Sequence, residues 1–457
     1  MSKLYELYCE NGGRVTTDSR AVATLAAEHD GVGPVFFALP GERFDGNDYA
    51  VQAVADGAVA AVVHGRLPKG VRADSDEAAK YIVVKDTIAA LQELAAHHRD
   101  MLGLPVLALT GSNGKTTTKE LIARVLRLKY RVACTQGNLN NHIGVPLTLL
   151  SMTAEDDVAI VEMGASHGGE IAALCGIAQP DIGLITNVGR AHLEGFGGPE
   201  GVRRGKGELY DYLAVHGGTA IYSAEDPVLS DMIRERFSET GIGAAVSYRA
   251  ADWGIAASTV RGGGKLILSV QGGEDVATHM AGAYNLANVS AALAVGAYFG
   301  IAVPQALETV AAYDPDNNRS QVAESKNGTG NILYMDAYNA NPSSMAAALD
   351  NFIALPSGGR KVLILGDMRE LGEFSAAEHR AIVDRLAAVA GSGGAECYLV
   401  GPEFSEAIPV PSEGIRVFPS ADALAEALRK GAVVIRDACV LVKGSRGIAL
   451  EKLYPLL

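Results

Sequence analysis

A chain of 457 residues is too long for one ordinary domain, and by length alone about three are expected. With 48% hydrophobic and 20% charged residues it has ample material for cores, which excludes disorder for the bulk of it. The formal net charge of −14 argues against general nucleic-acid binding, which needs a positive field along a phosphate backbone. An acidic chain that binds an anionic ligand has to attract it with local basic residues, backbone N–H groups or a divalent metal.

The N-terminus, MSKLYELYCENGGR, lacks the apolar core of a signal peptide. Cys9, Cys134, Cys175, Cys397 and Cys439 are far apart, odd in number and free of any CxxC pair. That pattern indicates neither a disulfide framework nor a zinc site, so a reducing cytoplasm is expected.

Residues 1–103 form a first block. It has strand-like runs at Val35–Leu39, Ala58–Val63 and Tyr81–Val84, turns rich in Gly, Pro and Asp, and a helical pattern over Thr87–Arg99. Gly103-Leu104-Pro105 reads as a linker. The second block, 104–318, opens with the apolar strand Val106–Leu109, a Gly-rich turn and a helix over Thr116–Leu128. Buried strands are expected at Val158–Glu162 and Ile182–Asn187, each ending in polar residues. The uncharged stretch Ala283–Leu307 is read as one buried Ala-rich helix rather than a membrane span, because Asn285, Asn288, Ser290, Gln305 and Pro304 interrupt it. The third block, 319–457, shows strands at Ile332–Asp336, Val362–Gly366, Cys397–Val400 and Val440–Lys443, with helices over Ser375–Val389 and Ala421–Lys430. Alternating apolar strands and helices imply an α/β fold with mostly parallel sheets, whose ligands gather at the C-terminal strand ends.

The most specific motif is Thr110-Gly111-Ser112-Asn113-Gly114-Lys115-Thr116-Thr117, between a predicted strand and a predicted helix. Its glycines let backbone N–H groups face a polyphosphate, and the helix N-terminus adds a favourable dipole. Lys115 would reach the β- and γ-phosphates and the Thr116 hydroxyl would ligate Mg²⁺. Leu109 stands where the full phosphate-loop pattern has its first glycine, so the loop is shortened. Glu162, delivered by an apolar strand, is a hard oxygen ligand suited to Mg²⁺. His192, in the run Thr186–Glu194 that follows another buried strand, is a second candidate ligand.

TGSNGKTT resembles the ATP loop of the Mur ligase family and of its relative folylpolyglutamate synthase, and the resemblance extends along all three blocks. It implies an N-terminal UDP-binding domain, a central ATPase domain and a C-terminal Rossmann-like domain. It implies two Mg²⁺ ions and a carbamylated lysine at Lys206, where a carbamate would give an anionic oxygen donor. It places Asn285 and Asn288 at the adenine, Arg319 on the γ-phosphate, Asp336 at the ribose and Tyr338 or Asn339 at the base. Tyr284 stands where many members have His. Ser19, Arg20, Asp45 and Gly46 match UDP-contacting segments, and Asn138 and Asn141 match the muramyl-substrate loop. The loops Gly366–Leu371 and Lys443–Gly447 match signatures of the member that adds D-alanyl-D-alanine. For that member the substrates are ATP, UDP-MurNAc-tripeptide and D-Ala-D-Ala, joined by a monomer through an acyl phosphate. Open beside it are the tripeptide-forming ligase, folylpolyglutamate synthase and, in a different class, a P-loop ATPase that drives motion or regulates a partner.

Overall fold

The computed structural model describes residues 2–29, 31–237, 242–258, 264–315, 321–355, 359–390, 394–408 and 414–457. Strands β1 (Val15–Thr16), β2 (Val35–Phe37), β3 (Ala60–His64) and β4 (Tyr81–Val84) form a parallel sheet in that order. Next come β5 (Val106–Thr110), β6 (Val132–Cys134), β7 (Val158–Glu162), β8 (Ile182–Ile185), β9 (Thr219–Ser223) and β10 (Ala244–Tyr248). They make a six-stranded sheet of order β10-β9-β8-β5-β7-β6. Every residue of β5, β7 and β8 is buried. That explains their unbroken apolar runs: a parallel strand covered on both faces has no solvent side to alternate toward.

The antiparallel sheet of β11 (Ile255–Ser258), β12 (Lys265–Val270) and β13 (Val276–Ala281) was not anticipated. Its segments are short and Gly-punctuated, and no helical period separates them. The last sheet contains β14 (Gln321–Glu324), β15 (Ile332–Asp336), β16 (Arg360–Gly366), β17 (Glu396–Val400), β18 (Ile415–Phe418) and β19 (Ala438–Lys443). Its order is β14-β15-β19-β16-β17-β18, antiparallel only at β14. Alternate residues enter opposite cores: Leu363, Leu365, Leu399 and Leu441 on one face, Val362, Ile364, Val400 and Val442 on the other.

By residue contacts the chain forms two compact units. One comprises residues 1–108, 130–164 and 170–182; the other comprises 109–129, 165–169 and 183–457. In the first, the helix Thr87–Leu102 is capped by Asp86, which accepts from the N–H groups of Ile88 and Ala89, and it ends at left-handed Gly103. Gly103, the first residue of the expected linker, caps this helix. Buried His98 of this helix lies 2.9 Å from Met152 O and 3.2 Å from the Tyr8 hydroxyl, which itself donates to Leu150 O at 2.7 Å.

In the second unit the Ala-rich stretch is two helices, Asn285–Tyr298 and Val303–Ala311, not one. Gly300, at φ +72°, turns the chain between them, and Pro304 occupies the first turn of the second helix, where its missing N–H costs nothing. No described helix is long and apolar enough to cross a membrane.

Candidate active site

The phosphate loop joins β5 to the helix Lys115–Leu126. A Cβ on Gly111 would fall 2.0 Å from Thr186 Oγ1, and one on Gly114 would fall 2.4 Å from Asn288 Oδ1. Close approach, together with φ values of +144° and +78°, therefore requires glycine at both positions. The tip of the loop is clasped from one side. Asn187 accepts from the Asn113 N–H through Oδ1 at 3.0 Å, and donates to the Asn113 carbonyl through Nδ2 at 3.0 Å. The Thr186 hydroxyl donates to the same carbonyl at 2.6 Å, and Ser112 Oγ bridges to Gly189 N and O at 2.9 and 3.1 Å. Lys115 Nζ folds back onto Gly111 O at 2.6 Å. Thr116 and Thr117 are half-buried in the first turn of the helix.

Behind the loop runs a polar chain. Thr118 Oγ1 donates to Asn288 Oδ1 at 3.1 Å, Asn288 Nδ2 to Asn285 Oδ1 at 2.7 Å, and Asn285 Nδ2 to Ala281 O at 2.6 Å. Both asparagines are buried; Asn288 ties the phosphate-loop helix to the helix Asn285–Tyr298, and Asn285 carries the chain on to the end of β13. Tyr284 and Asp336 line one small cleft with Gln321, Asn351 and Phe352. Tyr338 and Asn339 are not among its walls. Tyr338 carries the Arg446 guanidinium 5.6 Å from its ring centroid, and Asn339 Oδ1 accepts from Ala340 N at 2.9 Å. Buried Lys443 donates to Asp336 Oδ2 at 2.5 Å and to Asn339 O at 3.4 Å.

His192 has a left-handed backbone, φ +53°, and pairs through Nδ1 with Glu370, itself left-handed at φ +63°. Non-glycine residues held there cost of order 1–3 kcal/mol each, and such strain clusters at functional sites. The hydrogen bond from His192 holds the Glu370 carboxyl below the usual carboxylate range, against the opposing effect of its burial. Nearby, Arg190 pairs with buried Glu378, and its N–H donates to Ser343 Oγ at 2.8 Å. Asn341 caps the helix Pro342–Ala354, and its Nδ2 reaches Asn113 Oδ1 at 2.7 Å, against the phosphate loop. Lys206 lies on the helix Pro199–His216, 1% exposed, with Nζ 3.0 Å from Ala165 O and 5.0 Å from the Phe196 ring centroid.

The remaining candidates lie in the first unit. Glu162 ends β7, 1% exposed, and accepts from Asn140 Nδ2 at 2.8 Å. Asn138 is exposed, whereas Asn141 Oδ1 accepts from Ile143 N and Gly144 N at 3.1 and 2.9 Å. Arg20, beside Ser19, forms a bidentate pair with Asp18 at 2.9 and 2.7 Å. Asp45 accepts from Asn47 N and pairs with His64 Nε2, each at 2.9 Å. A Cβ on Gly46 would lie 2.6 Å from the Leu39 backbone. Arg319 lies outside the described residues.

Three family patterns match the chain: the Mur ligase family catalytic domain over residues 14–99, the Mur ligase middle domain over 109–296, and the Mur ligase glutamate ligase domain over 318–446. A UDP-N-acetylmuramoyl-tripeptide–D-alanyl-D-alanine ligase of Escherichia coli is 36% identical over 453 residues, 97% of this chain and 93% of that protein. The chain belongs to the Mur ligase family.

Among solved structures, the MurF of Acinetobacter baumannii superposes with a TM-score of 0.79 at 32% identity, covering 96% of this chain and 92% of that one. The MurF ligase of Thermotoga maritima in complex with ADP gives 0.79 at 27% identity, covering 97% and 96%. Like them, this Mur ligase is an α/β protein of three domains with mostly parallel sheets.

Within its second unit the Mur ligase fold brings Gly111, Ser112, Asn113, Gly114 and Lys115 together with Asn288, and sets His192 against Glu370. Sequence reasoning missed Asn187, Thr186, Asn341 and Glu370. Asn187 directly follows a buried strand in the same run as His192, so asking what holds the backbone of the loop tip would have singled it out. Asn341 and Glu370 reach Asn113 and His192 only through pairing distant in sequence, so their partners are not legible locally.

Proposed function

We propose that the chain is an ATP-dependent ligase joining D-alanyl-D-alanine to UDP-N-acetylmuramoyl-tripeptide, which yields the UDP-MurNAc-pentapeptide of peptidoglycan synthesis. The observation carrying this reading is the full-length likeness to the ligase of that name in Escherichia coli, with the phosphate loop, its clasp and its helix in place.

ATP transfers its γ-phosphoryl group to the terminal carboxylate of the tripeptide. The amine of D-Ala-D-Ala then attacks the acyl carbon, the C–O bond to phosphate breaks, and the amine proton departs. Phosphoryl transfer needs chiefly positioning and charge neutralisation. Lys115 would leave Gly111 O for the β- and γ-phosphates, the loop N–H groups would cradle them, and Arg319 would supply a further cation. Gly111, Ser112, Asn113, Gly114, Thr116 and Thr117 line that cradle.

Among the described residues no cluster of three His, Cys, Asp or Glu side chains is arranged to hold a metal by itself. Of the proposed ligands, the Thr116 hydroxyl and the Glu162 carboxylate are hard oxygen donors of the kind Mg²⁺ prefers, with waters and phosphate oxygens completing its shell, and His192 is the nitrogen ligand that the family resemblance adds. When bound, Mg²⁺, two ions in this reading, neutralises phosphate charge. We take Lys206 as carbamylated: the carbamate would supply anionic oxygens, and the charge of bound Mg²⁺ would offset the cost of burying it.

Asn285 and Asn288 would set the floor of the adenine pocket, with Asp336 at the ribose and Tyr338 or Asn339 at the base. Ser19, Arg20, Asp45 and Gly46 would hold the UDP moiety, and Asn138 and Asn141 the muramyl peptide. We place the domain boundaries at 103/104 and 318/319, and take the enzyme as a cytoplasmic monomer.

The test is phosphate release from ATP and Mg²⁺ with UDP-MurNAc-tripeptide, with and without D-Ala-D-Ala, and the product identified by mass. Release that requires both substrates and gives pentapeptide is expected. Release indifferent to both would discard the ligase reading in favour of a P-loop ATPase.

A further inference from the structure

The short helix Leu193–Phe196 begins directly after His192 and closes on itself: Phe196 N donates to His192 O at 3.1 Å, and Gly198 N to Leu193 O at 2.9 Å. The chain then enters the helix Pro199–His216 so tightly that two helical positions must be glycine. A Cβ on Gly201 would fall 1.8 Å from Phe196 O, and one on Gly205 would fall 2.3 Å from Phe196 Cε1. The Phe196 ring is thereby pressed onto the helix one residue before Lys206, with its centroid 5.0 Å from Lys206 Nζ. Ala165 O accepts from the same nitrogen at 3.0 Å. Both side chains are buried, and the ring belongs to an apolar cluster that also holds Leu193, Val202, Met368 and Leu371.

Carbamylation makes particular demands on that nitrogen. Starting from the ammonium, Nζ gives up two protons to solvent, and its lone pair forms the N–C bond while one C=O pair of CO₂ moves onto oxygen. One N–H remains, and Ala165 O is already placed to accept it. Loss of CO₂ is the reverse: the nitrogen takes back a proton and the N–C bond breaks. Both directions need water to carry protons at Nζ, and the Phe196 ring occupies one side of that atom. An ammonium is attracted to the face of an aromatic ring, so the ring does not favour the carbamate at equilibrium. What it governs is the access of water, and hence the rate of exchange.

We propose that Phe196 is a positioning residue that shields Lys206 Nζ, slowing both the gain and the loss of CO₂, so that a carbamate once formed outlasts a fall in CO₂; this rests on the carbamylation of Lys206 proposed above. Ala165 O fixes the remaining N–H, and the ring, backed by its apolar cluster, keeps water from the adjoining face. The glycines at 201 and 205 serve this arrangement, since a side chain at either would push Phe196 off the helix.

The experiment loads the full-length enzyme, with Mg²⁺ present, from ¹³C-bicarbonate and follows the carbamate carbon by NMR, first as label enters and then after transfer to unlabelled bicarbonate. Phe196→Leu removes the ring. Gly205→Ala keeps the ring but drives it from the helix, and because alanine is the better helix former it is expected to fold even if the first variant does not. Label should enter and leave about tenfold faster in both, with a plateau no lower than in the unsubstituted enzyme. Phe404→Leu removes another buried ring of the same cluster, one that lies 4.7 Å from His379, and should exchange at the unsubstituted rate. Exchange at the unsubstituted rate in Phe196→Leu or Gly205→Ala, a lowered plateau, or equally fast exchange in Phe404→Leu overturns the shield and leaves carbamylation standing. Absence of a labelled carbamate from the unsubstituted enzyme is the separate result that removes carbamylation, and the shield with it, while pentapeptide formation tests the ligase function independently.

Discussion

Replacing Asn187 with alanine should loosen the phosphate loop without removing any atom proposed to touch ATP. Its carboxamide makes two 3.0 Å hydrogen bonds to the Asn113 backbone, one in each direction. Each contributes about 0.5–1.5 kcal/mol net. The Asn113 carbonyl keeps the Thr186 hydroxyl at 2.6 Å, so the loss concentrates on the N–H, and Asn113 is only half-buried. The sum is about 1–2 kcal/mol, with each 1.4 kcal/mol worth a factor of ten. If nucleotide binds only the clasped loop, apparent affinity falls with the clasped fraction. Calorimetric titration should then show ADP binding roughly five- to thirtyfold weaker. Asn187→Asp keeps the acceptor for the Asn113 N–H, but sets a carboxylate oxygen against the Asn113 carbonyl and adds a charge beside the phosphates. It should bind more weakly than the alanine variant, with the gap narrowing in high salt. An alanine variant within twofold of the unsubstituted affinity would refute the clasp.

Other perturbations test separate parts of the structure. Lys206→Ala should lose most ligase turnover, and the unsubstituted enzyme should slow in CO₂-depleted buffer and recover with bicarbonate; full turnover in both cases would dismiss carbamylation. Asp336→Asn leaves Lys443 buried without its carboxylate, at a cost of about 3 kcal/mol in urea unfolding. Adding Lys443→Met should recover most of that stability but not ATP affinity, and a double variant as unstable as the single would show that the pair is not the cause. Burial holds the His98 pKa below 6.5, with the Met152 carbonyl opposing. The unfolded chain therefore takes up this proton first. His98's contribution is complete above about pH 6.5 and is lost as pH falls toward the folded value, at up to about 1.4 kcal/mol per pH unit. Urea midpoints at pH 7.5, 6.5 and 5.5 should fall more steeply for the unsubstituted protein than for His98→Gln; identical slopes would remove His98 as the titrating group.

Much was legible in sequence because it is local. TGSNGKTT is readable since a phosphate loop is one strand end, a few left-handed or closely approached glycines and one helix start, all within eight residues. The strands Val106–Thr110, Val158–Glu162 and Ile182–Ile185 announce themselves as apolar runs because both their faces are buried. The break at Gly300 was misread, since an Ala-rich composition favours helix on either side of a turn that a single glycine makes possible.

Tertiary structure alone decided what the polar side chains do. Asn288 ties two helices together with Asn285 behind it, Asn187 grips Asn113, Asn341 reaches across to the same loop, and Glu370 meets His192. The sequence determined the elements and the chemical types at their ends, because dihedral preference and hydrophobic period are properties of neighbouring residues. Which carboxamide meets which backbone group depends on partners between 3 and 228 positions apart. Only packing of the apolar faces brings those partners within hydrogen-bonding distance.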